Sequence, residues 1–433
     1  KQERIAKLAR DNPTMALTSL NHYVDYEWMK YAYEYTRKDN TAGVDGQSAA
    51  EYAADLEHNL LSLIERLKTG RYRAPPVRRH YIDKPGGGQR GLGIPCFEDK
   101  VAQRVIVMLL EPIYEQEFLD CSYGFRPGRN AHQALQAVGR AIMRRGGRWV
   151  LDVDVRKYFA SIEPQRLREF LDRRVIDGVV RRLIDKWLKA GVLEAGQLHY
   201  PATGTPEGGV ISPLLANVYL HYVLDLWFER VVRKHASGQA MLMRYADDFV
   251  VAFEHQEEAE QFLKSLPDRL AKFGLELSKE KTKLVPFKRN AQEGNGGFDF
   301  LGFQYHWETS RNGKPKVQRR TAPQRLQRSV KRFTEWVKRH RHERLRETLA
   351  GLKRKLTGYW QYYGITGNGR SLCKFWRLVV RGLYHWLNRR SQRRSYTWER
   401  LFALLERHGL KGPQFTESKQ TNFAFWGMKS ARV

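Results

Sequence analysis

Two adjacent carboxylates lie between two apolar runs near the middle of the chain. Met241–Met243 and Phe249–Phe253 flank the polar sequence Tyr245-Ala246-Asp247-Asp248, a pattern typical of a β-hairpin with acidic residues at its tip. Neighbouring like charges repel each other and resist desolvation, so such a pair calls for a strong cation, most simply two Mg²⁺ ions. Taken alone, the four residues favour the simpler interpretation of an exposed turn with solvated acids.

A second acidic strand is predicted upstream, within Arg148–Phe159. Alternation places Asp152 and Asp154 on the opposite face from Leu151 and Val153. An otherwise apolar strand carries such acids only at a cost in desolvation. Beside the acidic hairpin, it would supply three or four carboxylates, the ligands that a two-metal site for in-line phosphoryl transfer requires.

Two cations bracket a glycine-rich turn in Tyr72–Pro95, a segment with the pattern of two strands. Lys84 and Arg90 lie on either side of Gly86–Gly88. Consecutive glycines permit a positive φ and close approach of the backbone to a ligand, although a flexible hairpin turn would use them equally well. Two cationic side chains folded over this turn could bind a triphosphate.

Seven ordered blocks of the sequence resemble the group II intron-encoded reverse transcriptases. Asp154–Phe159 resembles polymerase motif A, and Tyr245–Asp248 resembles motif C. The other five blocks are Lys84–Pro95, Ser122–Asn130, Gly204–Asn217, Leu275–Thr282 and Phe298–Phe303. The resemblance covers about residues 35–410. It implies an α/β right-hand polymerase with fingers and palm, followed by an all-α basic thumb or maturase domain.

The resemblance also implies roles for individual residues. Asp154, Asp247 and Asp248 would be the catalytic residues and would bind two Mg²⁺ ions. Phe159 would exclude a 2′-hydroxyl, and Lys281 would neutralise or protonate the departing pyrophosphate. The full set implied for dNTP binding is Lys84, Arg90, Phe159, Glu207 and Lys281. The residues implied for template or primer contact are Arg126, Arg129, Phe300 and Gly302.

Two positions depart from the family pattern. Ala160 stands where the family usually has Asp after the motif A Phe, and Glu207 stands where it usually has Gln in a Pro-Gln-Gly triplet. Glutamate keeps an acceptor and lacks the amide donors, so the contact that residue 207 makes to nucleotide or template is open. Neither departure changes the metal-binding acids.

The positive charge of the chain is concentrated in its last 123 residues. The whole chain has a formal charge of +29, and residues 311–433 hold 31 Lys and Arg against 6 Asp and Glu. Such a density predicts a surface for a nucleic-acid backbone, although some of the charges would be solvated and the interleaved aromatics would form a helical core. Arg325, Arg328 and Arg332 are spaced to share one helix face, and we expect them to bind template–primer.

Helical periodicity predicts several helices around these motifs. In the first half they are expected around Leu8–Leu20, Ala32–Arg37, Ala49–Lys68 and Lys100–Glu117, and from the block at Gly204–Asn217 through about Val232. From Lys314 onward the pattern is helical and basic, with helices expected at Pro323–Arg341, Glu343–Tyr363 and Leu372–Arg389. The predicted domains are an N-terminal helical extension (1–70), fingers (71–145), palm with motifs A to E and part of the fingers inserted (146–310) and a basic helical thumb or maturase domain (311–433).

These expectations predict RNA-directed DNA synthesis from dNTPs on an RNA template with a DNA or RNA primer. The resemblance adds binding of a structured group II intron RNA to assist splicing and mobility. Two alternatives stay open: a domesticated enzyme in DNA repair, CRISPR spacer acquisition or phage defence, and an RNA-binding splicing factor with an inactive polymerase core.

The cysteine content and the apolar patterning bound the remaining classes. The chain has only 3 cysteines and no CxxC pair, which predicts neither a disulfide framework nor a zinc site. We expect no appended metal-nuclease domain. No run is apolar enough to predict a membrane span or signal peptide, so we expect a cytoplasmic protein.

Overall fold

The computed structural model describes residues 1–39, 41–83, 87–194, 196–200, 208–288, 297–310, 312–390 and 395–416. The chain forms two compact units. The first comprises residues 1–130 and 153–284, and the second comprises residues 131–152 and 285–433. This grouping differs from the four segments expected from the sequence, which stay a prediction about polymerase subdomains.

The helices and strands alternate along most of the chain. The helices are α1 (Gln2–Asp11), α2 (Tyr26–Tyr35), α3 (Ala49–Ala53), α4 (Leu56–Thr69), α5 (Phe97–Tyr114), α6 (Ala131–Arg145), α7 (Tyr158–Ser161), α8 (Pro164–Asp172), α9 (Gly178–Leu188), α10 (Ser212–Leu220), α11 (Arg233–His235), α12 (Gln256–Ala271), α13 (Pro323–His340), α14 (Leu345–Tyr363), α15 (Gly369–Leu387) and α16 (Trp398–Arg407). The strands are β1 (Val77–Asp83), β2 (Gln89–Ile94), β3 (Trp149–Arg156), β4 (Val192–Glu194), β5 (Gln197–His199), β6 (Ala240–Tyr245), β7 (Asp248–Phe253), β8 (Glu276–Leu277), β9 (Lys283–Pro286), β10 (Phe298–Phe300), β11 (Phe303–Thr309) and β12 (Pro315–Thr321).

One sheet of the first unit has the strand order β6-β7-β3-β8. Strands β6 and β7 form an antiparallel hairpin, and β3 runs antiparallel to β8 with Val155 opposite Leu277. Phe249–Phe253 is buried along its whole length, as expected for a strand that is covered on both faces. Helix α12 packs against β7 and β8. The sheet therefore gives the acidic strands a rigid base.

A second sheet of the first unit has the order β2-β1-β4-β5. Strands β1 and β2 pair antiparallel from Arg78 opposite Ile94 to Asp83 opposite Gln89. Helix α5 lies in the core, and most of its residues are buried, so it is apolar nearly all round rather than on one face. The expectation of a supporting core helix in this region is confirmed.

Helix α10 continues into two π-helical turns before α11. These turns are His221–Asp225 and Phe228–Val232. In each, the backbone N–H that closes the turn bonds five residues back, from Leu226 to His221 and from Arg233 to Phe228. The uniform helix expected through about Val232 is therefore wrong in detail, because the α-helical hydrogen-bond register changes twice.

The second unit combines an antiparallel sheet, β10-β11-β12, with a helical core. Helices α14 and α15 meet through Tyr359 and Phe375, whose rings stack with centroids 3.6 Å apart. Leu326 and Val337 of α13 join the same core. The opposite face of α13 carries its Arg and Lys side chains, as amphipathic periodicity predicts.

The structure departs from the expected elements at two places. Residues around Leu8–Leu20 are not one helix, because α1 ends at Asp11 and Leu17 pairs with Val175 as an extended residue. Pro315–Thr321 forms strand β12, so the expectation of an all-α segment after residue 311 is wrong for its first residues. The helices expected at Pro323–Arg341, Glu343–Tyr363 and Leu372–Arg389 are confirmed to within about three residues at each end.

Candidate active site

The acidic hairpin has the shape that its sequence predicts. Tyr245 pairs with Asp248 across the end of β6 and β7, which leaves Ala246 and Asp247 as a two-residue turn. Ala246 has a left-handed φ of 57°, a conformation that costs a non-glycine residue about 1–2 kcal/mol. Contacts around the turn must therefore hold it in place.

Asp154 lies in β3, the strand next to β7. Its side chain is half-buried, as are those of Asp247 and Asp248, whereas Val153 and Val155 on the opposite face are buried. The predicted alternation of β3 is confirmed over this stretch. The backbone carbonyl of Asp154 accepts a hydrogen bond from the N–H of Ser278 at 2.9 Å, which fixes the strand against the turn that follows β8.

Lys281 contacts the motif A carboxylate directly. Its Nζ lies 2.8 Å from Oδ2 of Asp154, and the two side chains are 67% and 37% exposed. Lys281 belongs to a turn that is closed by hydrogen bonds back to the carbonyl of Ser278. A pair this exposed contributes little to stability, so the ammonium is free to exchange Asp154 for another anion.

A buried guanidinium lies beneath the hairpin turn. Arg244 is fully buried and forms a bidentate pair with Asp225, with Nε–Oδ1 at 2.8 Å and Nη2–Oδ2 at 2.6 Å. Its Nη1 donates to Oδ1 of Asn217 at 2.9 Å and to the carbonyl oxygen of Ala246 at 3.0 Å. Burial alone would lower the pKa of Arg244, and the pair with Asp225 raises that pKa overall. Sequence reasoning missed this cluster, because its members are apart in sequence and none is acidic or glycine-rich in pattern.

The segment before α6 also supports the turn. The N–H of Tyr123 donates to the carbonyl of Arg244, and the side chain of Asn217 donates to the carbonyl of Gly124 at 2.7 Å. A Cβ at Gly124 would lie 2.4 Å from the backbone nitrogen of Ala246. Only glycine therefore permits this approach, and the sequence signal that was available is the Gly within the Ser122–Asn130 block.

Phe159 lies one turn after β3, in the short helix α7. Its neighbour Tyr158 is buried and donates its hydroxyl hydrogen to the carbonyl of Ala216 at 2.5 Å. Burial raises the pKa of Tyr158 well above its ordinary value, so its hydroxyl stays protonated. Phe159 is half-buried and Ala160 is exposed. Tyr158 thus anchors α7 to α10, and Phe159 keeps part of its ring accessible.

Two of the residues expected to bind nucleotide, Lys84 and Glu207, lie outside the described residues. Arg90 is exposed on β2 opposite Ile82. Gly208, with φ of 115°, lies so close to β2 that a Cβ there would be 2.3 Å from the carbonyl oxygen of Gly93. The block that contains Glu207 therefore enters α10 from beside the hairpin that carries Arg90.

The two arginines of the Ser122–Asn130 block make internal contacts. Arg126 is 3% exposed and binds Glu115 at 3.0 Å together with the carbonyls of Leu119 and Ser122. Arg129 pairs with Asp120 and is 25% exposed. Template contact by these residues stays a prediction, and the described geometry gives Arg126 a role in fixing the loop rather than an exposed surface.

The residues expected to contact primer or duplex in the second unit differ in exposure. Phe300 is buried, whereas Gly302 has φ of 79° and a Cβ there would lie 3.1 Å from the hydroxyl of Tyr363. In the listing of α13 residues by exposure, Arg325 and Arg332 are exposed and Arg328 is half-buried. Burial raises the pKa of Tyr363, and the charges of Arg325 and Arg328 partly offset that rise, so both arginines lie near its hydroxyl.

Comparison with known proteins identifies the family. Residues 82–305 match the model of the reverse transcriptase (RNA-dependent DNA polymerase) family. The chain belongs to the reverse transcriptase family. The match includes both acidic strands, so the reverse transcriptase is an RNA-directed DNA polymerase of mixed α/β structure, and the family implies a right-hand polymerase fold with a nucleic-acid template and primer.

Its relatives include proteins of group II introns. Protein YkfC of Escherichia coli (strain K12) is 32% identical over 350 residues, which cover 73% of this chain and 90% of that protein. Group II intron-encoded protein LtrA of Lactococcus lactis subsp. cremoris is 29% identical over 459 residues, covering 86% and 75%. Nuclear intron maturase 2, mitochondrial, of Arabidopsis thaliana is 29% identical over 177 residues, covering 32% and 24%. The expected resemblance to group II intron-encoded reverse transcriptases is confirmed.

Reverse transcriptases use divalent metal ions, typically Mg²⁺. Asp154, Asp247 and Asp248 supply the hard oxygen ligands that Mg²⁺ prefers. In the part of the chain that the structure describes, no three Asp, Glu, His or Cys side chains converge closely enough to hold an ion. Mg²⁺ is commonly held by one or two carboxylates with substrate phosphates and water, so these residues fit a site that the bound nucleotide completes.

The helices were also compared with the requirements for a membrane span. Among the residues that are described, none of the helices combines the length and the apolar character needed to cross a bilayer.

Proposed function

We propose that this reverse transcriptase extends a primer on an RNA template by two-metal phosphoryl transfer, and that it also binds a structured group II intron RNA to assist splicing and mobility. The observation that carries the catalytic part is the position of Asp154 on the strand next to the hairpin that bears Asp247 and Asp248. Adjacent strands bring acids from distant parts of the chain to one sheet, which is how a phosphoryl-transfer site is assembled.

The primer 3′-hydroxyl would attack the α-phosphate of a dNTP in line, with pyrophosphate leaving on the opposite side. Two Mg²⁺ ions, when bound by Asp154, Asp247 and Asp248, would neutralise charge on the attacking and leaving oxygens. Lys84 and Arg90 would bind the triphosphate, with residue 207 at the nucleotide or template base. Phe159, half-buried after β3, would leave no room for a 2′-hydroxyl.

Lys281 would change partners during the reaction cycle. In the free enzyme its ammonium neutralises Asp154 at 2.8 Å, which lowers the cost of keeping several carboxylates together. Because this pair is exposed and weak, the lysine can turn to the more highly charged triphosphate. There it would neutralise or protonate the departing pyrophosphate.

The subdomains follow from this assignment. The sheet with β3 and the acidic hairpin would be the palm, the β1–β2 hairpin would belong to the fingers, and the helices after β12 would form a basic thumb. Arg325, Arg328 and Arg332 of α13 would bind the phosphates of the template–primer duplex. Phe300 is buried, so we propose that the β10–β11 turn, including Gly302, approaches the primer through its backbone.

Primer extension tests the catalytic proposal. Asp247→Asn should reduce incorporation of a single dNTP to background, because it removes a metal ligand, and template–primer affinity should stay within about twofold. Asp268→Asn is a matched control, since Asp268 is exposed on α12 and the charge change is the same. Extension by Asp247→Asn at a rate near that of the wild type would show that the hairpin does not hold the metals.

RNA binding tests the intron proposal separately. Its support is the similarity to an intron-encoded protein and to an intron maturase, together with the basic second unit. A group II intron RNA should compete for the enzyme at lower concentration than a structured RNA of equal length at the same salt. Equal competition by the two RNAs would mean that the binding is general and electrostatic, and that intron recognition is wrongly assigned.

A further inference from the structure

We propose that Arg244 is a positioning residue for catalysis, which holds the carbonyl of Ala246 and thereby fixes the carboxylate of Asp247. The inference rests on the proposed polymerase function of the acidic hairpin. It assigns a task to a side chain that is fully buried and touches neither nucleotide nor primer.

The guanidinium joins three separate parts of the first unit. Two of its nitrogens bind Asp225, and Nη1 bonds both to Asn217 and to the carbonyl of Ala246. The planar fork of arginine can satisfy these acceptors at once, whereas a lysine ammonium cannot reproduce the bidentate pair. The peptide between Ala246 and Asp247 is therefore tied to the helix that carries Asn217.

Stability alone does not account for this buried pair. Both Arg244 and Asp225 have side chains that are 0% exposed, and taking two charges out of water costs so much that apolar replacements are often equally stable. What apolar residues cannot supply is a directed donor for the Ala246 carbonyl. The charge pair therefore has a geometric purpose, which is to aim that donor.

The conformation of Ala246 shows why the donor is needed. A non-glycine residue with φ of 57° persists only where the surrounding structure over-determines it. Here the carbonyl of Ala246 is held by Arg244, and its nitrogen packs on Gly124. Loss of the Arg244 contact should let the turn relax and should move the Asp247 carboxylate away from its working position.

The experiment replaces the pair by apolar residues of similar size. The double variant Arg244→Met with Asp225→Leu avoids an unpaired buried charge. The matched control is Arg174→Met with Glu117→Leu. Arg174 is also buried and paired, but its other bonds go to the carbonyls of Ala9, Asn12 and Met15. For both variants one would measure thermal unfolding, template–primer affinity, kcat, the Mg²⁺ concentration for half-maximal rate, and Mn²⁺ binding by electron paramagnetic resonance.

The hairpin variant should fold and bind duplex as the wild type does. Its kcat should fall about 10–100-fold, and its Mn²⁺ affinity should fall by a similar factor, as for other groups that orient metal ligands. The control variant should keep both values. Wild-type kcat and Mn²⁺ affinity in the folded hairpin variant would overturn the proposal, as would equal losses in the control.

A milder substitution decides the question if the double variant does not fold. Arg244→Lys keeps a cation beside Asp225 and should still lose kcat and Mn²⁺ affinity, because it cannot bind both Asp225 and the Ala246 carbonyl. Full retention of both by Arg244→Lys would overturn the proposal. The failure of the polymerase assignment is separate, since it would be seen as unchanged extension by Asp247→Asn.

Discussion

Gly124 gives a direct test of how tightly the catalytic hairpin is supported. An added Cβ would lie 2.4 Å from the nitrogen of Ala246 and 3.0 Å from the carbonyl carbon of Tyr245. Ordinary van der Waals contact begins at 3.4 Å, so Gly124→Ala requires the turn to move by about 1.0 Å from the nearest atom. Both atoms belong to the backbone, and neither can turn aside as a side chain would.

The expected effect is larger on catalysis than on folding. A displacement of about 1 Å at a reacting group costs about 10²-fold in rate, so kcat should fall by about that factor. Overpacking of a well-filled region costs about 1–3 kcal/mol of unfolding free energy. Template–primer affinity should not change, because the duplex is assigned to a different surface.

Single-turnover extension of a preformed template–primer measures the first effect, and thermal or denaturant unfolding measures the second. Gly139→Ala is the control, since a Cβ at Gly139 in α6 would meet no atom within 4 Å. That substitution should leave kcat unchanged and increase stability by up to about 1 kcal/mol, through helix propensity. Wild-type kcat in a folded Gly124→Ala variant would refute the claim that this contact sets the position of Asp247.

Three further outcomes are expected. Replacement of Arg325, Arg328 and Arg332 by Gln should weaken duplex binding for all sequences and lower the slope of log affinity against log salt by roughly 2–3, at about 0.7–0.9 per phosphate contact; an unchanged slope would place the duplex elsewhere. Lys281→Met should lower kcat at least about 10²-fold and bind Mn²⁺ at least as tightly, because no ammonium competes for Asp154; wild-type kcat would remove Lys281 from the chemistry. Burial lowers the pKa of His221 from 6.5 to about 4, so the unfolded chain takes up the proton first and this contribution to stability falls as pH drops below 6.5, by about 2 kcal/mol at pH 5; His221→Leu should lose that decrease in a comparison of unfolding free energies at pH 5 and 8, and an identical decrease in both proteins would contradict it.

The acidic hairpin was predictable because its signal is local. Two apolar runs of strand length around Tyr245–Asp248 specify both the strands and the turn. The alternation around Asp154 specifies which side of β3 carries the acid. That the two strands are neighbours was inferred from chemistry and family resemblance, since no local pattern encodes strand pairing.

Other features depend on contacts between distant parts of the chain. Arg244 and Asp225 are 19 residues apart, and each looks like a surface charge until the fold buries it. Arg126 has the sequence context of a nucleic-acid contact, yet Glu115 and neighbouring carbonyls enclose it. Strand β12 was missed because its Lys and Arg residues suggested a basic helix, and pairing with β11 overrides that weak local preference.

The π-helical turn after α10 ties the reading frame of one helix to the polymerase chemistry. In a regular α-helix, each residue turns by about 100°, so positions eight apart differ in direction by about 80°. The wider turn at His221–Asp225 advances each residue through a smaller angle, which brings Asp225 and Asn217 to the same guanidinium. Loss of a single codon in that turn would leave every acid of the hairpin in place, yet would rotate Asp225 away from Arg244. Along this helix, the length of the segment is therefore under functional constraint as much as its composition.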